Sequence, residues 1–334
     1  MSIKTICIYG AGALGGTIAA KLASGADNGI DVSVVARGAH LDAIRSNGLR
    51  LHEADAETPL NVQLTATDDA KTLPPQDLII TGLKGHQLAP AAEGIAGLLK
   101  QGTRVVMILN GIPWWYFHRD ARGGRAELQF DELDSGGRLW RLIGPERVIG
   151  CVAYQGAEVI RPGEIQLSHK GRFVLGEPSG EMSVDLAAIA AALTDAGLSI
   201  TTTPEIRNEI WSKLMGNAAF NPISALTRAV MTDIMADPAL MDMVSKVMKE
   251  VRDVGDALGA HFSMTVEQRL EQSRHIGGVR TSMLQDLIGG KALEITPLVG
   301  MVVALGRLTA VPTPVSETIL ALVKQLDREN QRGR

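Results

Sequence analysis

The 334-residue chain is 45% hydrophobic, long and apolar enough for two domains that each bury a core. A formal net charge of −4 and a sequence pI near 6.0, with no basic block, exclude an electrostatic nucleic-acid partner. Two isolated cysteines, Cys7 and Cys151, give neither a disulfide framework nor a metal-ligand spacing, so no metal is expected and a reducing, cytoplasmic setting is.

The first predicted strand, Lys4 to Tyr9, runs into Gly10-Ala11-Gly12-Ala13-Leu14-Gly15-Gly16, and an alanine-rich helix follows over Thr17 to Ala23. A strand, a G-x-G-x-x-G turn and a helix in this order match a dinucleotide-binding βαβ unit, although such a turn can also bind nothing. Gly10 would allow the sharp turn, Gly12 the approach of a pyrophosphate and Gly15 the tight helix-on-sheet contact. The phosphates would sit on the free N–H groups of the helix start. The apolar start lacks a basic n-region and a cleavage site, so it reads as a strand and not as a signal peptide.

Asp31 to Ala36 predicts a second strand and Ala39 to Asn47 a helix stopped by Gly48. Short strands are expected at Leu49 to His52 and Asn61 to Thr67, then a buried strand at Leu78 to Thr81, a helix at Leu88 to Lys100 and a strand at Arg104 to Leu109. This alternation predicts a doubly wound, mostly parallel α/β sheet with its ligand crevice at the carboxyl ends of the strands. Ile112 to Leu142 breaks the rhythm with Trp114, Trp115 and Trp140 around a polar, glycine-rich middle. It reads as an inserted lid or partner surface, or as a disordered excursion anchored by its aromatic ends. Antiparallel strands are expected from Arg147 to Leu175, a helix over Val184 to Ala196 and a last strand over Leu198 to Thr203.

From Pro204 the pattern turns helical, with segments at Glu205 to Thr227, Met235 to Gly259 and Thr265 to Arg274, where Thr265 and Gln268 fit a capping box. The expected organisation is thus a Rossmann-type domain over 1–203, with an insertion at 112–142, and an all-helical substrate and catalytic domain over 204–334. No run approaches the ~18 apolar residues of a membrane helix. Pro297 to Gly306 comes nearest and is ended by Arg307, so no membrane partner is expected.

The second strand ends in Val35-Ala36-Arg37-Gly38, with no acid where a ribose 2′-OH reader would stand. A guanidinium grips a 2′-phosphate through forked, charge-assisted hydrogen bonds, which favours NADPH/NADP with Arg37 as reader over a solvated loop arginine. On the Glu205 to Thr227 helix, Lys213, Asn217 and Asn221 stand at i, i+4 and i+8 among Trp211, Leu214, Met215 and Phe220. Spacing alone leaves two readings of that polar row: a solvated stripe, or a set that meets a bound carbonyl, carboxylate or hydroxyl. In the second, the lysine polarises a ketone and gives it a proton as hydride arrives. By composition alone, Ser282 and Glu294 read as surface residues.

The glycine turn, Thr81 to Gln87, Leu109-Asn110-Gly111, Trp211 to Pro222 and Ser282 to Ile295 together resemble the ketopantoate reductase family (2-dehydropantoate 2-reductase) along nearly the whole chain. The resemblance implies a Rossmann domain joined to a helical domain, with the active site in the cleft between them. It also implies NADPH reduction of a small 2-oxo acid, 2-dehydropantoate, to (R)-pantoate in pantothenate and coenzyme A biosynthesis. By position, Lys213 and Glu294 match the family's catalytic pair. Asn110, Asn217, Asn221 and Ser282 match its substrate-binding residues. Gly10, Ala11, Gly12, Ala13, Leu14, Gly15, Arg37, Lys84, Asn110 and Glu294 match its cofactor site.

The chain departs from the family pattern in carrying Gly85-His86 after Lys84, and Ile295-Thr296-Pro297-Leu298-Val299 where relatives often read I-D-x-x-N. Two polar groups are absent there, and Pro297 must start or kink a helix. Beside the leading reading stand a reductase of another 2-oxo acid or an imine, and a non-catalytic NADP sensor. A homodimer and a monomer are equally compatible with the sequence.

Overall fold

The computed structural model describes residues 2–25, 29–120, 122–274 and 277–332. The end residues Met1 and Arg334 of the expected domains lie outside them. The chain divides into two compact units: Met1–Leu109, Trp114–Asp120 and Glu127–Ile206 form the first, and Asn110–Pro113, Ala121–Ala126 and Arg207–Arg334 the second.

The first unit opens with β1 (Thr5–Tyr9), α1 (Ala13–Ser24), β2 (Asp31–Val35), α2 (Gly38–Asn47), β3 (Leu49–Glu53), β4 (Leu60–Val62) and β5 (Thr65–Thr67). It continues through β6 (Leu78–Thr81), α3 (Gly85–Ala96), β7 (Arg104–Ile108), α4 (Arg138–Leu142), β8 (Val148–Ala153), β9 (Gly156–Arg161), β10 (Glu164–His169), β11 (Arg172–Gly176), α5 (Val184–Asp195) and β12 (Ser199–Thr202). The main sheet has the order β12-β11-β8-β7-β6-β1-β2-β5, and every neighbouring pair is parallel except β8 with β11. Its central strands are apolar on both faces: β6, for example, is buried at every residue. That is what a parallel sheet covered on both sides requires. From β1 the chain first builds outward through β2 to β5, then returns to lay β6 on the other side of β1. The switch in direction puts a crevice at the carboxyl ends of β1 and β6, where doubly wound sheets bind ligands.

A second sheet, β4-β3-β10-β9, was not legible from the sequence. The expected single strand at Asn61 to Thr67 is two: β4 joins this small sheet and β5 the main one. The expected antiparallel group also divides. β8 lies parallel to β7, while the β9–β10 hairpin leaves and β10 pairs parallel with β3. Burial explains the sorting: β8 is buried at every position, whereas β9 is exposed over Glu158 to Arg161.

Helix α3 begins earlier than expected because Gln87 Oε1 accepts the Lys84 backbone N–H at 3.0 Å and so closes its first turn. It stops at Ala96, before Gly97. The first aromatic end of the Ile112 to Leu142 stretch is anchored in packing. Ile112, Trp114, Trp115, Tyr116 and Phe117 are each at most 4% exposed. Trp115 fills the space over Gly150 of β8, where an added methyl would come within 2.5 Å of the indole. Aromatic rings bury ~150–250 Å² each, so a cluster of them becomes core even within a polar loop.

Unit two is helical: α6 (Ile206–Thr227, whose first residue counts with the first unit), α7 (Met231–Ala236), α8 (Pro238–Ala257), α9 (Val266–Ser273), α10 (Ser282–Ile288), α11 (Met301–Thr309) and α12 (Pro314–Arg332). The predicted helix from Met235 is broken at Asp237-Pro238: the Asp237 carboxylate accepts the N–H groups of Ala239 and Leu240, and Pro238 starts α8. Val244, Val247, Met248, Val251 and Val254 give α8 one buried face. The Thr265–Gln268 capping box forms as expected. No helix among the described residues is long and apolar enough to cross a membrane.

Candidate active site

Two groups of candidate residues form, one in each unit. In the first unit, Gly10 leaves β1 with φ +99°, a conformation open chiefly to glycine. A methyl on Gly15 would lie 2.1 Å from the Gly10 carbonyl oxygen, and one on Gly82 would lie 2.4 Å from it. Three glycines therefore let β1, α1 and the end of β6 meet backbone to backbone. Gly82 is the member sequence reasoning gave no role; its signal is a glycine at the end of a buried strand beside the switch in strand order.

Gly12 differs from those three, since a methyl there would meet nothing within 4 Å. Gly12, Ala13 and Leu14 are partly exposed while Ala11, Gly15 and Gly16 are buried. Gly12 is the N-cap of α1 and offers no side-chain cap, and the first turn holds no acid. The helix start thus presents N–H groups and positive dipole to an open space, the arrangement that accepts phosphate.

Arg37 is exposed just beyond β2, in extended conformation at the N-cap of α2. Burial and the neighbouring Cys7 push the Tyr9 phenol up, and the Arg37 charge works against them, so the guanidinium is within electrostatic reach of the end of β1. These features could hold a dinucleotide: room over Gly12, a helix start without a side-chain cap and an exposed guanidinium just beyond β2. Lys84 caps α3 beside Gly82, and its ammonium nitrogen is buried. His86, on the first turn of that helix, is exposed.

In the second unit, α6 turns Lys213, Asn217 and Asn221 to one side while Trp211, Leu214, Met215, Ala218 and Ala219 are buried. Lys213 Nζ donates to Asn110 Oδ1 at 2.7 Å. Asn110 Nδ2 donates in turn to Glu294 Oε2 at 3.5 Å. An ammonium only donates and a carboxylate only accepts, so the Asn110 amide has one orientation that serves both. Further along the row, Asn221 is 6% exposed and donates through Nδ2 to Ser282 Oγ at 3.4 Å. Ser282 is exposed at the first position of α10, and Asn217 is half-buried on α6, between Lys213 and Asn221 in the chain.

The departure at Pro297 is built into this arrangement. The Pro297 carbonyl accepts the Ile112 N–H at 2.8 Å. A methyl on Gly111, at φ +76°, would fall 2.0 Å from the same oxygen. Leu298 is non-helical (φ −92°, ψ −109°), which kinks the chain before α11 as a proline there requires. The kink thus holds the Asn110–Ile112 segment within the second unit. Chemically, the cluster offers an ammonium proton donor oriented by an amide, a carboxylate that accepts from the same amide, and two further amides and a hydroxyl as hydrogen-bonding groups.

Family comparison matches residues 6–180 to the model "Ketopantoate reductase PanE/ApbA" and 205–327 to "Ketopantoate reductase PanE/ApbA C terminal". A curated 2-dehydropantoate 2-reductase of Mesorhizobium japonicum is 46% identical over 96% of this chain and 97% of its own length. A crystal structure from Ralstonia solanacearum, provisionally named a ketopantoate reductase, superposes with TM-score 0.91 at 38% identity, covering 98% of this chain and 99% of that one. The crystal structure of 2-dehydropantoate 2-reductase from Methylococcus capsulatus gives TM-score 0.80 at 28% identity, covering 98% and 97%.

Proposed function

The chain belongs to the ketopantoate reductase family, oxidoreductases that act on CH–OH groups, and from that premise we propose that it reduces 2-dehydropantoate to (R)-pantoate with NADPH. The step would serve pantothenate and coenzyme A synthesis. The bound cofactor supplies hydride to the keto carbon. Lys213 gives a proton to the keto oxygen and regains it from water, so ketone, hydride and proton balance to the alcohol. Asn110 aims the ammonium, and Glu294 stabilises its charge through the same amide. Asn217, Asn221 and Ser282 hold the substrate carboxylate and hydroxyl. Gly10 to Gly15 would hold the pyrophosphate and Arg37 the 2′-phosphate, and Lys84, Asn110 and Glu294 would serve the nicotinamide end.

The observation that carries this reading is the Lys213–Asn110–Glu294 hydrogen-bonded chain. A solvated stripe has no need of an ammonium held by a buried-edge amide. The test is NADPH oxidation against a panel of 2-oxo acids, with Lys213→Ala beside the parent. General acid catalysis is worth about 10²–10⁴ in rate, so the variant should lose that much in kcat while its NADPH affinity stays. An unchanged kcat removes Lys213 from the chemistry, and a parent that binds NADPH yet oxidises it with no oxo acid is a sensor. A second substrate reading, a larger or more apolar 2-oxo acid, is favoured by the turn after Glu294, where Thr296 and Val299 stand in place of the D and N of the I-D-x-x-N pattern that the resemblance leads one to expect. The same panel ranks the two by kcat/KM.

A further inference from the structure

His40 is half-buried on α2, and its ring joins two backbones that are remote in sequence. The Gly163 N–H, in the Pro162-Gly163 turn between β9 and β10, lies 3.0 Å from His40 Nδ1. The Ala11 carbonyl, inside the glycine turn, lies 2.7 Å from His40 Nε2. A backbone N–H can only donate and a carbonyl can only accept. The pattern therefore fits one tautomer, with Nδ1 bare and the proton on Nε2.

The consequence runs through one peptide group. The Ala11–Gly12 bond is trans, so the Ala11 C=O and the Gly12 N–H point in opposite directions. Holding the carbonyl toward His40 turns the Gly12 N–H away from it, and Gly12 is the glycine whose missing methyl leaves open space. The far side of the clamp is itself fixed. The Gly163 carbonyl accepts the Arg50 N–H at 2.9 Å, and a methyl on Gly163 would come within 3.0 Å of Ala43. The same hairpin touches α1: a methyl on Gly16 would meet Ile165 at 2.1 Å. The small second sheet thus backs the turn, and His40 is its hydrogen-bonded link to the Ala11–Gly12 peptide.

We propose that His40 is a positioning residue for the dinucleotide, setting the Ala11–Gly12 peptide so that its N–H faces the pyrophosphate. The inference rests on the proposed dinucleotide reading. The test is equilibrium NADPH binding to the full-length protein by nucleotide fluorescence, with kcat at saturating NADPH as the companion. His40→Leu removes both bonds. His40→Gln places an amide N–H at the reach of Nε2 and restores the Ala11 bond. His40→Asn keeps an acceptor near Gly163 but falls short of Ala11.

NADPH should bind His40→Leu and His40→Asn about tenfold more weakly than the parent, the size of one net hydrogen bond. His40→Gln should recover most of that, and kcat should hold in all three. Parent-like affinity in His40→Leu overturns the proposal, as does recovery by Asn equal to that by Gln. A parent that binds no NADPH fails at the prior step and removes the dinucleotide reading itself. Nitrogen NMR of the parent supplies a readout independent of cofactor: His40 should carry its proton on Nε2.

Discussion

Gly12 and Gly15 stand three residues apart in one turn and answer to different constraints. At Gly15 a methyl meets the Gly10 carbonyl oxygen at 2.1 Å, a contact with backbone that no rotamer relieves. At Gly12 it meets nothing within 4 Å, and the extended backbone (φ −67°) admits alanine. Gly15→Ala should therefore lose about 1–3 kcal/mol or more of stability by overpacking. Gly12→Ala should melt within a degree or two of the parent yet bind NADPH at least about tenfold more weakly, because its methyl stands where the pyrophosphate would lie. Thermal unfolding and NADPH titration separate the two, and full NADPH affinity in Gly12→Ala would make the turn purely structural. The G-x-G-x-x-G spacing made the tight contact at Gly15 legible. His40 was not legible, because its partners Ala11 and Gly163 lie 29 and 123 residues away and no local pattern links them.

Elements announced themselves in the sequence where the determinant is local. The capping residues Ser183 and Thr265 each accept the backbone N–H three residues on, and their helices begin where expected. Elements whose boundaries depend on distant partners were missed. β10 pairs with β3 at Glu164 with Arg50, and neither short strand carries a period that says which sheet it joins. Glu250 shows the same limit in the helical unit. It lies on the buried face of α8, 8% exposed, and its two carboxylate oxygens accept the N–H groups of Val315 and Ser316, both at 2.8 Å. Those are free donors at the start of α12, so one acid ties two helices and meets the positive end of a dipole. Glu250→Ala would leave the buried Ser316 N–H and the partly buried Val315 N–H without this acceptor and should cost about 2 kcal/mol or more in urea unfolding. Glu250→Gln, which keeps one acceptor, should cost less. Equal losses from the two variants would mean that packing, and not the cap, is what Glu250 supplies.

For the whole molecule, the sequence disclosed the α/β unit, the helical unit and the Lys213-Asn217-Asn221 row, since each is written in consecutive or helical spacing, whereas Asn110, Ser282 and Glu294 entered through the family resemblance alone. It did not disclose that Asn110, directly after β7, packs with the helical residues, because the link is the carbonyl of Pro297 in a non-helical kink. The main sheet is also tied at the end opposite its ligand crevice. Asp77, just before β6, accepts the N–H groups of Lys4 and Thr5 at 2.9 and 3.0 Å and pairs with Lys100 at 2.6 Å. Burial works to raise its pKa, but the hydrogen bonds from Lys100 and the two backbone groups outweigh it and hold the carboxyl down at about 2, against 3.8 for a free aspartate. A depressed folded-state pKa means that the unfolded chain takes up the proton first as pH falls. The stabilisation from Asp77 is therefore complete above about pH 4 and is lost between there and about pH 2. Asp77→Asn should lower stability at neutral pH and flatten the fall of melting temperature over that acid window. Its NADPH affinity should match the parent's, because Asp77 stands at the amino ends of β1 and β6 and the glycine turn at their carboxyl ends. An acid-window slope identical to the parent's would show that the ion pair with Lys100 and its backbone bonds contribute nothing to holding β1 on β6.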